Sequence, residues 1–315
     1  MQVNFFSEIG TQTGIRFPRD FVNARTDCSW AIALDAPVYS FDANNFELGV
    51  GIIIVPKNNP ERAFDFFERN KKKSRRWAVM QEADQISWQR YDVVNQTRYV
   101  NLLFEVNHIL CHNESDVRYY NGLSGSKKAA VMPSLMILDA IPQPPKIMPE
   151  NRTSCIIGGT MCDWYSGMDS FVIAQTFQCD VFAPSMGRKV KEEEYLDGLT
   201  FLPYMKWSQW IGRLQQFKYA VHLMRTFAAG TFPLNCAYWG IPCIGWDGCD
   251  TQRICFPELT FKEGDMVSAR KAAQRLVDDG NFYAKCSQMS KDMQQRHFSE
   301  ELFLSKMSKI LRLGL

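Results

Sequence analysis

The 315-residue sequence has no Cys-x-x-Cys pair, only four histidines, a net charge of just +2 and no long apolar run. Each shortage excludes something. The ten cysteines stand apart in mostly apolar text, and no cysteine and histidine share metal-binding spacing. A metal site is therefore not expected, and the thiols read as reduced and buried, in a cytoplasmic compartment. The longest clean apolar run, Leu48 to Val55, suits a buried strand. It falls far short of the ~20 residues a spanning helix needs. The opening MQVNFFSEIG lacks a basic start followed by an apolar core, so no signal peptide is expected. The glycosylation-type triplets at Asn95, Asn113 and Asn151 are accordingly read as chance. A pI near 8.0 neither demands nor excludes an acidic partner.

What is present is a well-packed composition, 46% hydrophobic and 13% aromatic, and a steady alternation of strand-like and helix-like text. VNFFSEI, WAIALDA and LGVGIIIVP read as strands. PERAFDFFERNKKK reads as a helix opened by Pro60, and TRYVNLLFEVNHIL as another, with Val100, Leu103, Phe104 and Asn107 at helical spacing. A Pro-rich break, AIPQPPKIMPENR, interrupts the pattern, which then restarts through CDVFAP, GLTFLPY, YAVHLM and IPCIGW and ends in three helices. The expected architecture is α/β: two doubly wound, Rossmann-like domains facing across a cleft. They span residues 1–140 and 153–315, joined by a linker over 141–152. Ligands of such sheets bind beyond the carboxyl ends of the strands.

That rule directs attention to RTFAAGTFPLNCAYWGIPCIGW, which leaves the strand YAVHLM. Gly230 and Thr231 precede a helix, LNCAYWG, whose amino end offers free N–H groups and a positive dipole to an anion such as phosphate. Arg225 adds a cation and Thr231 a hydroxyl. Gly240 ends the helix and Pro242 prevents its continuation.

The same run, with Ala237, Gly240, Pro242, Cys243 and Ile244, resembles the nucleotide-sugar region of GT-B glycosyltransferases, especially the retaining enzymes of family 4. HNESDVRYYNGL resembles their first-domain segment ahead of the linker. In those enzymes a Glu-x7-Glu pair precedes the Gly-x-Pro; Phe227 and Asn235 occupy these positions here. Asn235 can hydrogen-bond a ribose hydroxyl, whereas Phe227 replaces no carboxylate.

The resemblance implies transfer of a sugar from a nucleotide-diphosphate sugar to an unidentified acceptor, with no cofactor and no bound metal. It places the donor on Gly159, Thr160, Arg225, Gly230, Thr231 and Asn235. It places the acceptor near the glycine loop Gly10 to Gly14 with Arg16, and near Glu82, a carboxylate able to orient a hydroxyl or take its proton. Glu82 and Arg225 are the catalytic candidates. The last helix of that fold crosses back to the first domain.

Other features have blander readings. His222 in YAVHLM reads as a core residue. His108 and His112 read as capping or surface groups near a helix end, and Asp247 and Asp250 as turn residues. The basic run Arg69 to Arg76 reads as a solvated helix end, or as a surface for nucleic acid or an anionic membrane. Two other functions stay open: a non-catalytic binding module with the same fold, and a transferase that modifies DNA bases.

Overall fold

The computed structural model describes residues 2–21, 25–47, 49–74, 76–82, 84–141, 147–186 and 196–313. Residues 142–146 of the expected linker, and Arg75 of the basic run, lie outside the described residues. The chain forms two compact units, Met1–Ile137 with Glu300–Leu315, and Leu138–Ser299.

The first unit runs β1 (Val3–Thr11), α1 (Thr26–Ala33), β2 (Val38–Tyr39), β3 (Val50–Val55), α2 (Glu61–Asn70), β4 (Arg76–Gln81), α3 (Val93–Glu105), β5 (His108–Cys111), α4 (Glu114–Ser124) and β6 (Ala129–Val131). Its six strands pair in the order β2-β1-β3-β4-β5-β6, all parallel. The unbroken run VGIIIV of β3 is buried on both faces, as a covered parallel strand must be. Ile52 and Ile54 join one core with Phe5, Trp30, Met80 and Leu110. Ile53 and Val55 join the other with Phe6, Phe64, Phe66, Val79 and Leu103.

Three sequence expectations are corrected here. WAIALDA is helical, not a strand: Trp30, Ala31 and Ile32 lie in the short helix α1. Its burial on nearly every side hides the 3.6 period. The helix expected through HIL stops at Glu105, because Val106 turns extended and Asn107 accepts the Trp77 N–H through Oδ1 at 2.8 Å. Its buried face is Tyr99, Leu102 and Leu103, and Phe104 is exposed. His108 consequently opens the strand β5, and His112 follows it and is buried, not a surface group. The last helix groups with the first unit: Phe303, Met307 and Leu311 are fully buried in the Trp30 core.

The second unit runs β7 (Cys155–Ile157), α5 (Gly167–Ala174), β8 (Val181–Pro184), β9 (Leu199–Leu202), α6 (Trp207–Leu214), β10 (Tyr219–His222), α7 (Thr231–Trp239), β11 (Cys243–Trp246), α8 (Asp250–Cys255), β12 (Thr260–Phe261), α9 (Met266–Asp278) and α10 (Gly280–His297); α11 (Glu300–Leu311) then belongs to the first unit. Its strands pair in the order β12-β11-β10-β7-β8-β9, all parallel. Counted from β7, that is the 3-2-1-4-5-6 order of a dinucleotide-binding sheet. Asp265 caps α9 through the Ser268 N–H and Asp279 caps α10 through the Phe282 N–H, both at 3.0 Å. Among the described residues, no helix is long and apolar enough to cross a membrane.

Candidate functional site

In the second unit the strand order reverses between β7 and β10, and the loops leaving these two strands diverge there. Such a switch point is where an open α/β sheet has room for a ligand. The β7 loop carries Gly158, Gly159 and Thr160. The β10 loop carries Arg225 and leads to Gly230 and α7. Four of the expected donor residues, Gly159, Thr160, Arg225 and Gly230, therefore sit on two neighbouring loops, and Thr231 and Asn235 lie in the helix that follows.

Local chemistry explains the shape of each loop. The Gly158 N–H donates to the Val221 carbonyl at 2.8 Å, carrying the ladder one residue past β7. Gly159 has a φ of +77°, a left-handed conformation, and Thr160 is buried. Ser166 is itself left-handed and enters α5. Ser170 Oγ accepts the Leu223 N–H at 3.0 Å, tying α5 to the β10 loop.

Gly230, left-handed at φ +66°, is the N-cap of α7, and no side chain caps that helix. Thr231 opens the helix and Pro233 in its first turn has no N–H to satisfy. The site offers backbone donors and the positive end of a nine-residue helix. Asn235 lies one turn further on and is 4% exposed. Phe227 is half-buried in the loop.

Arg225 is half-exposed and held by two acids. Nη2 meets Asp169 Oδ2 at 3.0 Å and Nε lies 3.6 Å from Glu263 Oε1. Ser166 Oγ donates to the same Asp169 oxygen at 2.7 Å. The guanidinium is thus aimed before any ligand arrives, with Nη1 left out of both ion pairs. Sequence reasoning missed Asp169, which matched no motif, and Glu263, which is distant along the chain.

In the first unit the expected residues divide. Glu82 follows β4 at the carboxyl edge of the sheet, and its Oε2 accepts the Lys57 N–H at 3.3 Å. Arg25 gathers it with two more acids: Nη2 lies 3.3 Å from Glu82 Oε1, Nη1 donates to Glu8 at 2.7 Å, and Nε and Nη2 donate to Asp27 at 3.1 Å. Ser7 Oγ also donates to Asp27, at 2.7 Å. Burial pushes the Glu82 carboxyl up from its ordinary value, against the opposing pull of Arg25. Burial works against the Arg25 charge, but Asp27, Glu8 and Glu82 outweigh it and raise its pKa.

The glycine loop is built differently. A side chain at Gly10 would overlap the Tyr39–Ser40 backbone, and one at Gly14 would stand 2.7 Å from the Tyr39 ring. Both glycines seat the turn on β2. Arg16 pairs with Asp35 at 3.3 Å, in the open.

The basic run is largely committed within its own unit. Arg69 donates to the Phe41 carbonyl at 2.9 Å, Lys71 pairs with Glu105 at 2.9 Å and Glu68 at 3.0 Å, and Lys73 donates to the Asn44 carbonyl at 3.0 Å. Arg76 donates to the Leu311 carbonyl at 2.9 Å. Asp247 stands in a turn, and Asp250 opens α8.

No protein-family model and no curated protein sequence matches the chain. Solved structures do. HepE from Anabaena, in complex with UDP-glucose, superposes with a TM-score of 0.69 at 10% identity over 99% of both chains. Sucrose-phosphate synthase from Thermosynechococcus elongatus gives 0.65 at 12% identity, over 84% of this chain and 73% of that one. An α-glucosyltransferase in complex with UDP and a DNA 13-mer containing an HMU base gives 0.64 at 10%, over 99% of both. The two parallel six-stranded sheets with their alternating helices are the fold of GT-B glycosyltransferases.

Proposed function

We propose that the protein is a glycosyltransferase that takes a hexose or pentose from a nucleotide-diphosphate sugar and passes it to an acceptor hydroxyl. The observation that carries this reading is the switch point of the second unit, where the uncapped amino end of α7 adjoins the Gly159 loop and a pre-aimed Arg225. In this reading Gly230, Thr231 and Arg225 receive the diphosphate, Gly159 and Thr160 line its approach, and Asn235 holds a ribose hydroxyl. The charge on the departing diphosphate is met by a helix dipole and a guanidinium, which have no need to reorganise during the reaction. Because neighbours of this fold are solved with UDP or UDP-glucose, uridine donors are the first to try.

On the acceptor side, Glu82 is the group we assign to an incoming hydroxyl, with Arg25 holding its carboxylate in place. Gly10, Gly14 and Arg16 belong to the same edge as a shape-setting turn. Ten cysteines without a disulfide suit a reducing, cytoplasmic compartment.

A screen for thermal stabilisation and donor hydrolysis with UDP-, GDP-, ADP- and dTDP-sugars, with and without EDTA, tests the proposal. Stabilisation by one donor, with slow release of its nucleoside diphosphate, is the expected result. Silence across the panel would favour the non-catalytic module, for which Phe227 at a family carboxylate position is the supporting observation. Nucleic acid or an anionic membrane at Arg69–Arg76 is a weaker reading of the acceptor, because most of those cations already have partners. Salt-sensitive DNA binding lost on neutralising Lys71–Lys73 would revive it.

A further inference from the structure

Of the eight tryptophans, Trp164 alone is exposed, at 40%. Single exposed apolar side chains are ordinary on a protein surface. What sets this one apart is its place: it stands on the β7 loop of the candidate donor site, with its backbone fixed on both sides. The Trp164 N–H donates to Asp163 Oδ1 at 2.9 Å, and its carbonyl accepts the Arg225 N–H at 3.2 Å. The turn closes behind it, where the Ser166 N–H donates to the Cys162 and Asp163 carbonyls at 3.0 and 3.1 Å. The two aromatic residues of the turn therefore divide. Tyr165 packs inward: any side chain at Gly159 would overlap its ring, which lies 6.1 Å from the His222 ring between centroids. Trp164 is left on the outside, bonded through its backbone to the residue whose guanidinium Asp169 and Glu263 hold.

We propose that Trp164 is the platform for the transferred sugar, its indole packing against the C–H face of the donor's sugar ring. The proposal rests on the glycosyltransferase reading with a uridine donor. A pyranose carries its hydroxyls round the rim and C–H groups on its faces. An aromatic ring can therefore bury one face while the hydroxyls keep their own partners. The order of groups in the site selects the sugar over the nucleobase. In a nucleotide-diphosphate sugar, the diphosphate separates the ribose from the transferred sugar. With the diphosphate at Gly230 and Thr231, and the ribose at Asn235 one turn into α7, the sugar leaves on the opposite side. That is the side of Arg225 and Trp164. The base, attached to the ribose, stays on the Asn235 side.

Calorimetric titration of wild type, Trp164→Ala and Trp164→Phe with UDP and UDP-glucose tests this. Trp164→Ala is expected to weaken UDP-glucose about tenfold, the scale of one aromatic contact, and to leave UDP within about twofold. Trp164→Phe keeps a smaller aromatic face and is expected to recover most of the loss. An equal loss with UDP and UDP-glucose would assign the indole to the nucleotide and overturn the proposal. No loss with either ligand would overturn it too, and both outcomes leave the glycosyltransferase reading intact. Wild type that binds neither ligand would overturn the proposal together with the uridine-donor reading beneath it. A second measurement needs no variant. Acrylamide quenching of wild-type tryptophan fluorescence reads the exposed Trp164 ahead of the seven more buried indoles. UDP-glucose is expected to lower the quenching and UDP to leave it unchanged; quenching unmoved by bound UDP-glucose contradicts the proposal.

Discussion

Thr251 Oγ1 donates to the Gly230 carbonyl oxygen over 2.8 Å, and the same hydroxyl fills the space that a side chain at residue 230 would need. Thr251 is 2% exposed, one residue into α8. It locks the cap of α7 from behind. Gly230→Ala combines a left-handed backbone with this overlap, and a cost of about 1–3 kcal/mol is expected from strain alone. Donor affinity should fall at least about tenfold as the N-cap shifts. Thr251→Val keeps the shape and loses the bond, so a smaller loss of the same kind is expected. Thermal melts with donor titrations check both; Gly230→Ala with unchanged melting and affinity would refute the arrangement.

Arg225 should separate stability from binding. Its ion pairs with Asp169 and Glu263 are half-exposed, and such pairs are worth about 0–1 kcal/mol. Arg225→Ala is therefore expected to melt close to wild type yet bind donor about 10–100-fold more weakly, the scale of a charge-assisted contact to phosphate. Asp169→Asn should produce an intermediate loss by releasing the guanidinium. Unchanged donor affinity in Arg225→Ala would remove it from the site.

How much of this was legible in the sequence depends on where the determining contacts lie. The β10 loop and α7 could be read because glycine and proline punctuate them locally: Gly230, Gly240 and Pro242 mark the cap, the stop and the restart. α1 could not, because a short helix buried all round looks like a strand, as Trp30, Ala31 and Ile32 do. The α3–β5 junction lacks any glycine or proline, and its break depends on Asn107 bonding to Trp77 on another strand. Arg25 was missed for the same reason, since its partners Glu8 and Glu82 come from other elements.

The last helix, far from the first unit in sequence, completes its core. Phe303→Ala is expected to cost about 3–5 kcal/mol, the range for truncating a buried phenylalanine. Deleting α11 should expose Trp30 and unfold that unit. Fluorescence melts check both, and a deletion variant with wild-type melting would contradict the assignment.

Glu82→Gln should leave stability intact while lowering transfer. Burial raises the Glu82 pKa above its unfolded value, so the protonated form is favoured by folding and its contribution is lost as pH rises through the folded pKa. Glutamine mimics that protonated form. At pH 8 the variant is expected to melt no lower than wild type and to transfer sugar more slowly, once an acceptor is known.

Two buried histidines set the acid limit. Burial pushes both His112 and His222 down to about 4, from an ordinary 6.5. Protonation then favours the unfolded chain, so stability is full above pH 6.5 and falls as pH drops toward 4. At pH 5 each histidine accounts for a loss of about 2 kcal/mol. Chemical denaturation at pH 7.5 and pH 5 is expected to show the drop, and His112→Asn and His222→Gln should each reduce it.

A nucleotide-sugar bound as proposed lies on the β7 and β10 loops of the second unit. Amide hydrogen exchange with and without UDP-glucose tests it most directly. New protection is expected to concentrate in residues 158–166 and 223–235. Protection elsewhere, or none at a saturating donor concentration, would contradict it.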